Sequence, residues 1–163
     1  MTRYFRSLLA LCATVFLVQC GPQVATSNQA SARVSGSTVT VSAAEAGKLN
    51  ALRAQYGLPA LRPSATLARV ADAHARDMMR NGFFGHVSAN GDTIVERTRA
   101  QGYGFCNVAE NLARGQAGFD TVLRQWMTSP SHRSNVLHKQ VTEFAVVRGT
   151  GNLWVMVMGR PGC

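Results

Sequence analysis

Leu153-Trp154-Val155-Met156-Val157-Met158 is a run of six apolar residues with no polar position inside it. Successive strand side chains point to opposite faces, so a strand apolar at every position must be covered on both faces of its sheet. Just upstream, Val141–Arg148 reads as a second strand. Gly149-Thr150-Gly151-Asn152 between the two is a hairpin signal, which makes them antiparallel neighbours. Asn107–Arg114 supplies a further strand.

The two covering layers have to come from the helices that precede these strands. Residues 43–56 place Leu49, Leu52 and Tyr56 on one helical face, and Gly57 closes that helix. Pro59 and Pro63 frame a turn, and Ser64 is a natural N-cap for a second helix. Its inward face runs Leu67, Val70, Ala71, His74 and Met78, and Asn81-Gly82 ends it. Thr93-Ile94-Val95-Glu96 is a capping box, so a third helix runs to about Gln101, before Gly102. A fourth covers 119–128 with Val122 and Trp126 inward, and Ser129-Pro130 starts a short fifth through Leu137. The fold class expected is α+β, an α–β–α sandwich with a small antiparallel sheet between two helical layers.

Composition bounds the function. A chain of 163 residues, 46% apolar and 15% charged, has room for one domain. Its net charge of +9 is carried mostly by arginine, with no dense basic run, aromatic-and-basic ladder or zinc-finger spacing. Nucleic acid is therefore not an expected partner, and a monomer is expected.

The N-terminus reads as an export signal. Arg3 and Arg6 precede a twelve-residue apolar stretch from Ser7 to Val18, too short for the roughly 20 residues of a bilayer span. It ends in Leu17-Val18-Gln19-Cys20-Gly21, which resembles a bacterial lipobox with Cys20 as the lipidated residue; Gln19 departs from the small residue usual there. The alternative is ordinary cleavage and release. Removing residues 1–19 takes two arginines and no acid, so the charge falls to +7. Residues 21–42 are rich in Ser, Thr, Ala and Gly without apolar period and read as a flexible tether. The domain expected is 43–163, exported to the periplasm or cell surface and anchored to the membrane through its lipid. Cys12 and Cys20 belong to the signal, leaving Cys106 and Cys163, which an oxidising compartment would pair as a disulfide.

Strong enzymatic signatures are absent: there is no Gly-x-Ser-x-Gly, His-Glu-x-x-His, phosphate-binding Gly loop or Cys-x-x-Cys. Three separated elements remain. They are Phe84-Gly85-His86-Val87-Ser88, Ala109-Glu110-Asn111-Leu112, and the stretch from Trp126 through Ser129-Pro130-Ser131-His132 to Leu137. In this order, with Gly91-Asp92-Thr93-Ile94-Val95-Glu96-Arg97 between the first two, they resemble the CAP superfamily of cysteine-rich secretory, antigen 5 and pathogenesis-related-1 proteins. The likeness is to its short bacterial branch and runs from about Leu49 to Met158.

The resemblance implies a cleft lined by His86, Glu110 and His132. Larger members carry a second Glu after the Trp-bearing helix; no acid lies between Trp126 and His132, and Asp120 and Glu143 do not match its position. Two imidazoles and a carboxylate could hold Zn²⁺ or another divalent metal, or do acid–base work without one. His132 sits at a helix start, where the dipole disfavours imidazolium. Against this, Glu110 could simply pair with an arginine. His74 reads as a satisfied core histidine and His138 as a helix C-terminal interaction, while Ser88 has no identifiable base or oxyanion hole. The expectation is an envelope protein that binds a lipid, glycan or peptide ligand and is not an enzyme; the alternative is a metal-assisted or acid–base hydrolase.

Overall fold

The strand Leu153–Pro161 organises the domain, as its sequence requires. The computed structural model describes residues 36–163. The signal segment 1–20 with Cys20, and the tether to residue 35, lie outside the described residues. In chain order the elements are β1 (Thr38–Thr40), α1 (Ala43–Gln55), β2 (Arg62–Pro63), α2 (Ala65–Asn81), α3 (Ile94–Ala100), β3 (Phe105–Arg114), α4 (Phe119–Thr128), α5 (Pro130–Val136), β4 (Glu143–Gly149) and β5 (Leu153–Pro161). The sheet order is β1-β4-β5-β3, antiparallel throughout except that the two-residue β2 pairs parallel with β4. This is the α+β sandwich expected.

The two faces of β5 feed two cores. Leu153, Val155 and Val157 pack with Leu67, Val70, Ala71 and Met78 of α2. Trp154, Met156 and Met158 pack on the other side with Leu49 of α1, Val122 and Trp126 of α4, and Val136 of α5. All six of these β5 residues are buried. At about 1.5–3 kcal/mol per buried large apolar side chain, this strand is the largest local source of stabilisation. The Trp154 and Trp126 indoles donate to Gln116 O (2.8 Å) and Leu112 O (3.0 Å), so neither N–H is left unpaired.

Three sequence expectations are corrected. Thr38–Thr40, read as the end of the tether, form β1 on the edge of β4, so the ordered domain begins before residue 43. The inward face of α1 carries Arg53 rather than Tyr56, which is 47% exposed. Arg53 is buried because its guanidinium reaches backbone carbonyls: Nε donates to Pro59 O (3.2 Å), and one terminal nitrogen donates to Val136 O (2.8 Å) and His138 O (3.2 Å). A long cation thereby caps the C-terminal end of α5 from the neighbouring helix. His138 does not itself act on the helix end; its ring accepts the Gln140 N–H in the following turn.

The Cys106–Cys163 disulfide forms, with Cα atoms 5.1 Å apart, and closes 57 residues of chain. It ties the end of β5 to β3 where the register shifts between Phe105 and Asn107. Chain-entropy arguments value such a closure at about 4 kcal/mol, and removal of native bridges costs about 2–5 kcal/mol. Cys163→Ser is therefore expected to lower Tm by about 10 °C in thermal melts, with far-UV dichroism of the folded state unchanged.

Candidate functional site

Glu110 lies on β3, on the face that α2 covers, with its side chain only 2% exposed. A carboxylate there must be paired, since desolvating it alone costs several kcal/mol. Both oxygens are taken. Oε2 accepts from an Arg97 terminal nitrogen at 2.7 Å, and Oε1 accepts from His86 Nδ1 at 2.8 Å. Arg97 comes from α3, whose start is fixed by the Thr93/Glu96 capping box that the sequence announces. Its other terminal nitrogen donates to His86 O (2.8 Å), Ser88 Oγ (3.2 Å) and Asp92 O (3.0 Å). One guanidinium thus neutralises Glu110 and pins the loop bearing His86.

That loop begins where Gly82, at φ 68°, caps α2 in the left-handed conformation. His74, on α2 and fully buried, donates from Nε2 to Gly85 O at 2.9 Å, while its Nδ1 meets the Ser88 hydroxyl at 3.4 Å. It is the satisfied core histidine expected, and its Nε2 also stands 3.8 Å from Glu110 Oε1. Ser88 receives a hydrogen bond from Arg97, which stabilises a hydroxyl in place and does not activate it as a nucleophile. With Nδ1 committed to Glu110, His86 presents Nε2 outward on a ring that is 58% exposed.

His132 reaches the same neighbourhood from the opposite side. Asn111 of β3, fully buried, donates from Nδ2 to His132 O (3.0 Å). Asn135 donates to both Asn111 Oδ1 (2.9 Å) and Glu110 O (3.1 Å). These amides lock α5 onto the strand that carries Glu110. Ser129, which precedes Pro130 at the start of α5, makes no side-chain cap hydrogen bond; its hydroxyl is hydrogen-bonded to His132 Nδ1 at 2.9 Å and orients the ring.

The imidazoles are tuned apart. Hydrogen bonding to Glu110 raises the pKa of His86, against burial and the Arg97 charge. Burial lowers His132, helped by the charge of His86. The helix-start argument foresaw the direction for His132, although burial is the leading cause. Burial also lowers His74. The three predicted residues are thus assembled, but Glu110 is not offered as a metal ligand: both its oxygens are hydrogen-bonded, one of them to a guanidinium. Among the described residues no three His, Cys, Asp or Glu side chains are arranged to hold one ion. Neither Asp120, paired with Lys48 at 2.6 Å, nor Glu143, bonded to Tyr103 and Arg62, supplies the missing second acid.

Arg97 was not singled out from the sequence. It stands thirteen positions from Glu110 with a turn and a strand start between them, a separation with no periodic signature. A separate apolar groove of about 520 Å³ lies between α1 and α4, floored by Leu52, Leu123 and Met127.

Three measurements test this geometry. Arg97→Met should destabilise the domain by about 3–5 kcal/mol in urea titrations, because it strands a buried carboxylate. The pH dependence has a defined sign. His74 and His132 are held below the ordinary imidazole value of about 6.5, so below that pH the unfolded chain binds protons that the folded chain refuses, and stability falls with acidification. His86 acts oppositely: its contribution is complete below about 6.5 and is lost as pH rises through its raised folded value. Glu110→Gln should lower the His86 titration midpoint seen by NMR.

Comparison with known proteins places the fold in a family. Residues 47–158 match the CAP family, described as the cysteine-rich secretory protein family. Among curated relatives, YkwD of Bacillus subtilis is 31% identical over 106 residues, 64% of this chain and 41% of that protein. The membrane protein YlbC of the same organism is 29% identical over 97 residues, 60% of this chain and 28% of that one. The chain thus spans less than half the length of these relatives. Among solved structures, an extracellular SCP-domain protein from Bacillus anthracis superposes with a TM-score of 0.66 at 28% identity, covering 72% of this chain and 39% of that one. An outer surface protein from Borrelia burgdorferi, at 21% identity, shares the fold with a TM-score of 0.66 over 77% of this chain and 100% of that one. With the family match spanning residues 47–158, most of the described domain, the chain belongs to the CAP family of cysteine-rich secretory proteins.

Proposed function

We propose that this is an exported envelope protein whose CAP domain binds a lipid, glycan or peptide of the envelope through the face carrying His86 and His132. The observation that carries this reading is the burial and pairing of Glu110. With Arg97 at 2.7 Å, His86 at 2.8 Å and a side chain only 2% exposed, the carboxylate positions an imidazole and is screened from the water it would have to activate. What the site offers a ligand is two imidazoles of different basicity on an arginine-rich surface, which suits recognition of an acidic or hydrogen-bonding group. Should the ligand be a lipid, its acyl chain would lie in the α1–α4 groove, about 520 Å³ and floored by Leu52, Leu123 and Met127.

A hydrolase is the second reading, favoured by one feature. An imidazole held through Nδ1 by a carboxylate, with Nε2 outward, is the arrangement of an oriented general base. Co-sedimentation with purified sacculi and with envelope-lipid vesicles, run beside assays for released peptides and fatty acids, separates the two. Binding that falls at least about tenfold in a His86→Ala/His132→Ala double variant, with no product released, is the expected result. Product release abolished by His86→Ala would establish the hydrolase instead.

The anchoring reading places the domain at a membrane through Cys20. Among the described residues no helix is long and apolar enough to cross a bilayer. In cells fed labelled fatty acid, the chain should take up label, and Cys20→Ala should lose the label and move the protein to the soluble fraction. A wild-type chain that carries no label would leave ordinary cleavage and release.

A further inference from the structure

The outer edge of β3 is dressed at the Glu110 and Leu112 carbonyls and left open at Val108 and at the Glu110 N–H, beside the imidazoles. The pairing of β3 with β5 sets which residues face outward. On the far side of the sheet, Thr142, Phe144 and Val146 turn their carbonyls away from β5 to accept from Arg62, Ser64 and Val41. The alternation that follows makes Ala109↔Met158, Asn111↔Met156 and Ala113↔Trp154 the hydrogen-bonded pairs of β3 and β5. Val108, Glu110 and Leu112 therefore direct their N–H and C=O groups away from the sheet. The carbonyls of Glu110 and Leu112 are satisfied there, by Asn135 Nδ2 (3.1 Å) and Trp126 Nε1 (3.0 Å). The N–H of Glu110 and both the N–H and C=O of Val108 have no hydrogen-bond partner among the described residues.

An edge strand with this pattern accepts another main chain. We propose that an extended acidic peptide docks on β3 at Val108–Glu110 by strand addition, which identifies the ligand class for the binding face argued above and rests on that reading. The repeating donor–acceptor spacing selects a polypeptide backbone over a sugar or a headgroup. Charge selects an acidic one. Beside the edge stand His86, hydrogen-bonded to Glu110 of β3, and Arg99, whose guanidinium lies 5.8 Å from the Phe105 ring centroid of the same strand. Against them stand Glu96, which caps α3, and Glu110, which Arg97 neutralises. Farther along, Asn135 and Trp126 occupy the positions a longer peptide would need, so the docked stretch is short, about three or four residues at the ~3.4 Å rise of a strand.

The test uses the full-length chain in detergent micelles and a fluorescent pentapeptide of alternating alanine and glutamate. Its lysine counterpart, and a version N-methylated at alternate amides, serve as comparisons. Strand addition predicts saturable anisotropy, weaker binding of the lysine peptide, and at least about a tenfold loss on N-methylation. It also predicts that the largest ¹⁵N–¹H shifts fall on Val108 and Glu110. Val108→Pro, which removes one outward donor at an edge where proline is tolerated, should weaken binding similarly. If that variant melts early, the N-methylated peptide still decides the matter with the unaltered protein. Equal affinity for the N-methylated peptide, no saturation at millimolar concentration, or shifts confined to other segments would overturn the proposal. In the His86→Ala/His132→Ala variant, loss of the preference for acid with N-methyl sensitivity retained would keep the docking edge. An unchanged preference would break the imidazole reading alone.

Discussion

A buried carboxylate on β3 is the constraint around which this end of the molecule is arranged. Glu110 points into the layer between sheet and α2, where an unpaired charge would cost several kcal/mol. Arg97 answers that cost, and in doing so fixes the angle at which α3 meets the sheet and the path of the loop from Phe83 to Asp92. His86 completes the coordination of the carboxylate and is left with one free ring nitrogen. Removing the charge would release the loop as well as the imidazole, so site geometry and local stability are one property here.

The opposite wall of the site is set by amides. Asn111 and Asn135 join α5 to β3 through side-chain and backbone groups, and Arg53 holds the far end of the same short helix by its carbonyls. A seven-residue helix has little stability of its own. Its position is imposed by these three side chains and by Val136 in the core. His132 therefore sits on an element that is rigid only because its neighbours make it so. His86 on its loop and His132 on α5 thus approach β3 from opposite sides.

The disulfide and β1 close the sheet at its two margins. Cys106–Cys163 secures the free end of β5 against β3, and β1 covers the upper half of β4 while β2 covers the lower. With those edges protected, the outer side of β3 is where the described sheet still turns backbone groups outward, and α4 and α5 dress only part of it.

The sequence by itself determined the architecture, because its strongest signals are local. Six successive apolar residues in β5 demand cover on both faces, the Thr93/Glu96 capping box and the glycines mark helix ends to within a residue or two, and Cys106 and Cys163 have one partner each. It also nominated His86, Glu110 and His132, through motifs that lie on three separate elements. Tertiary structure alone decided what those residues do. Whether Glu110 would face water, a metal or an arginine depends on Arg97, thirteen positions away, and no periodicity connects them. The burial of Arg53 in place of Tyr56 depends on carbonyls at positions 59, 136 and 138. Thr38–Thr40 is too short and polar to read as a strand until β4 offers it an edge. Local pattern fixes the elements because turns, caps and apolar periods are short-range physics; partnership across the fold is a matter of three-dimensional distance.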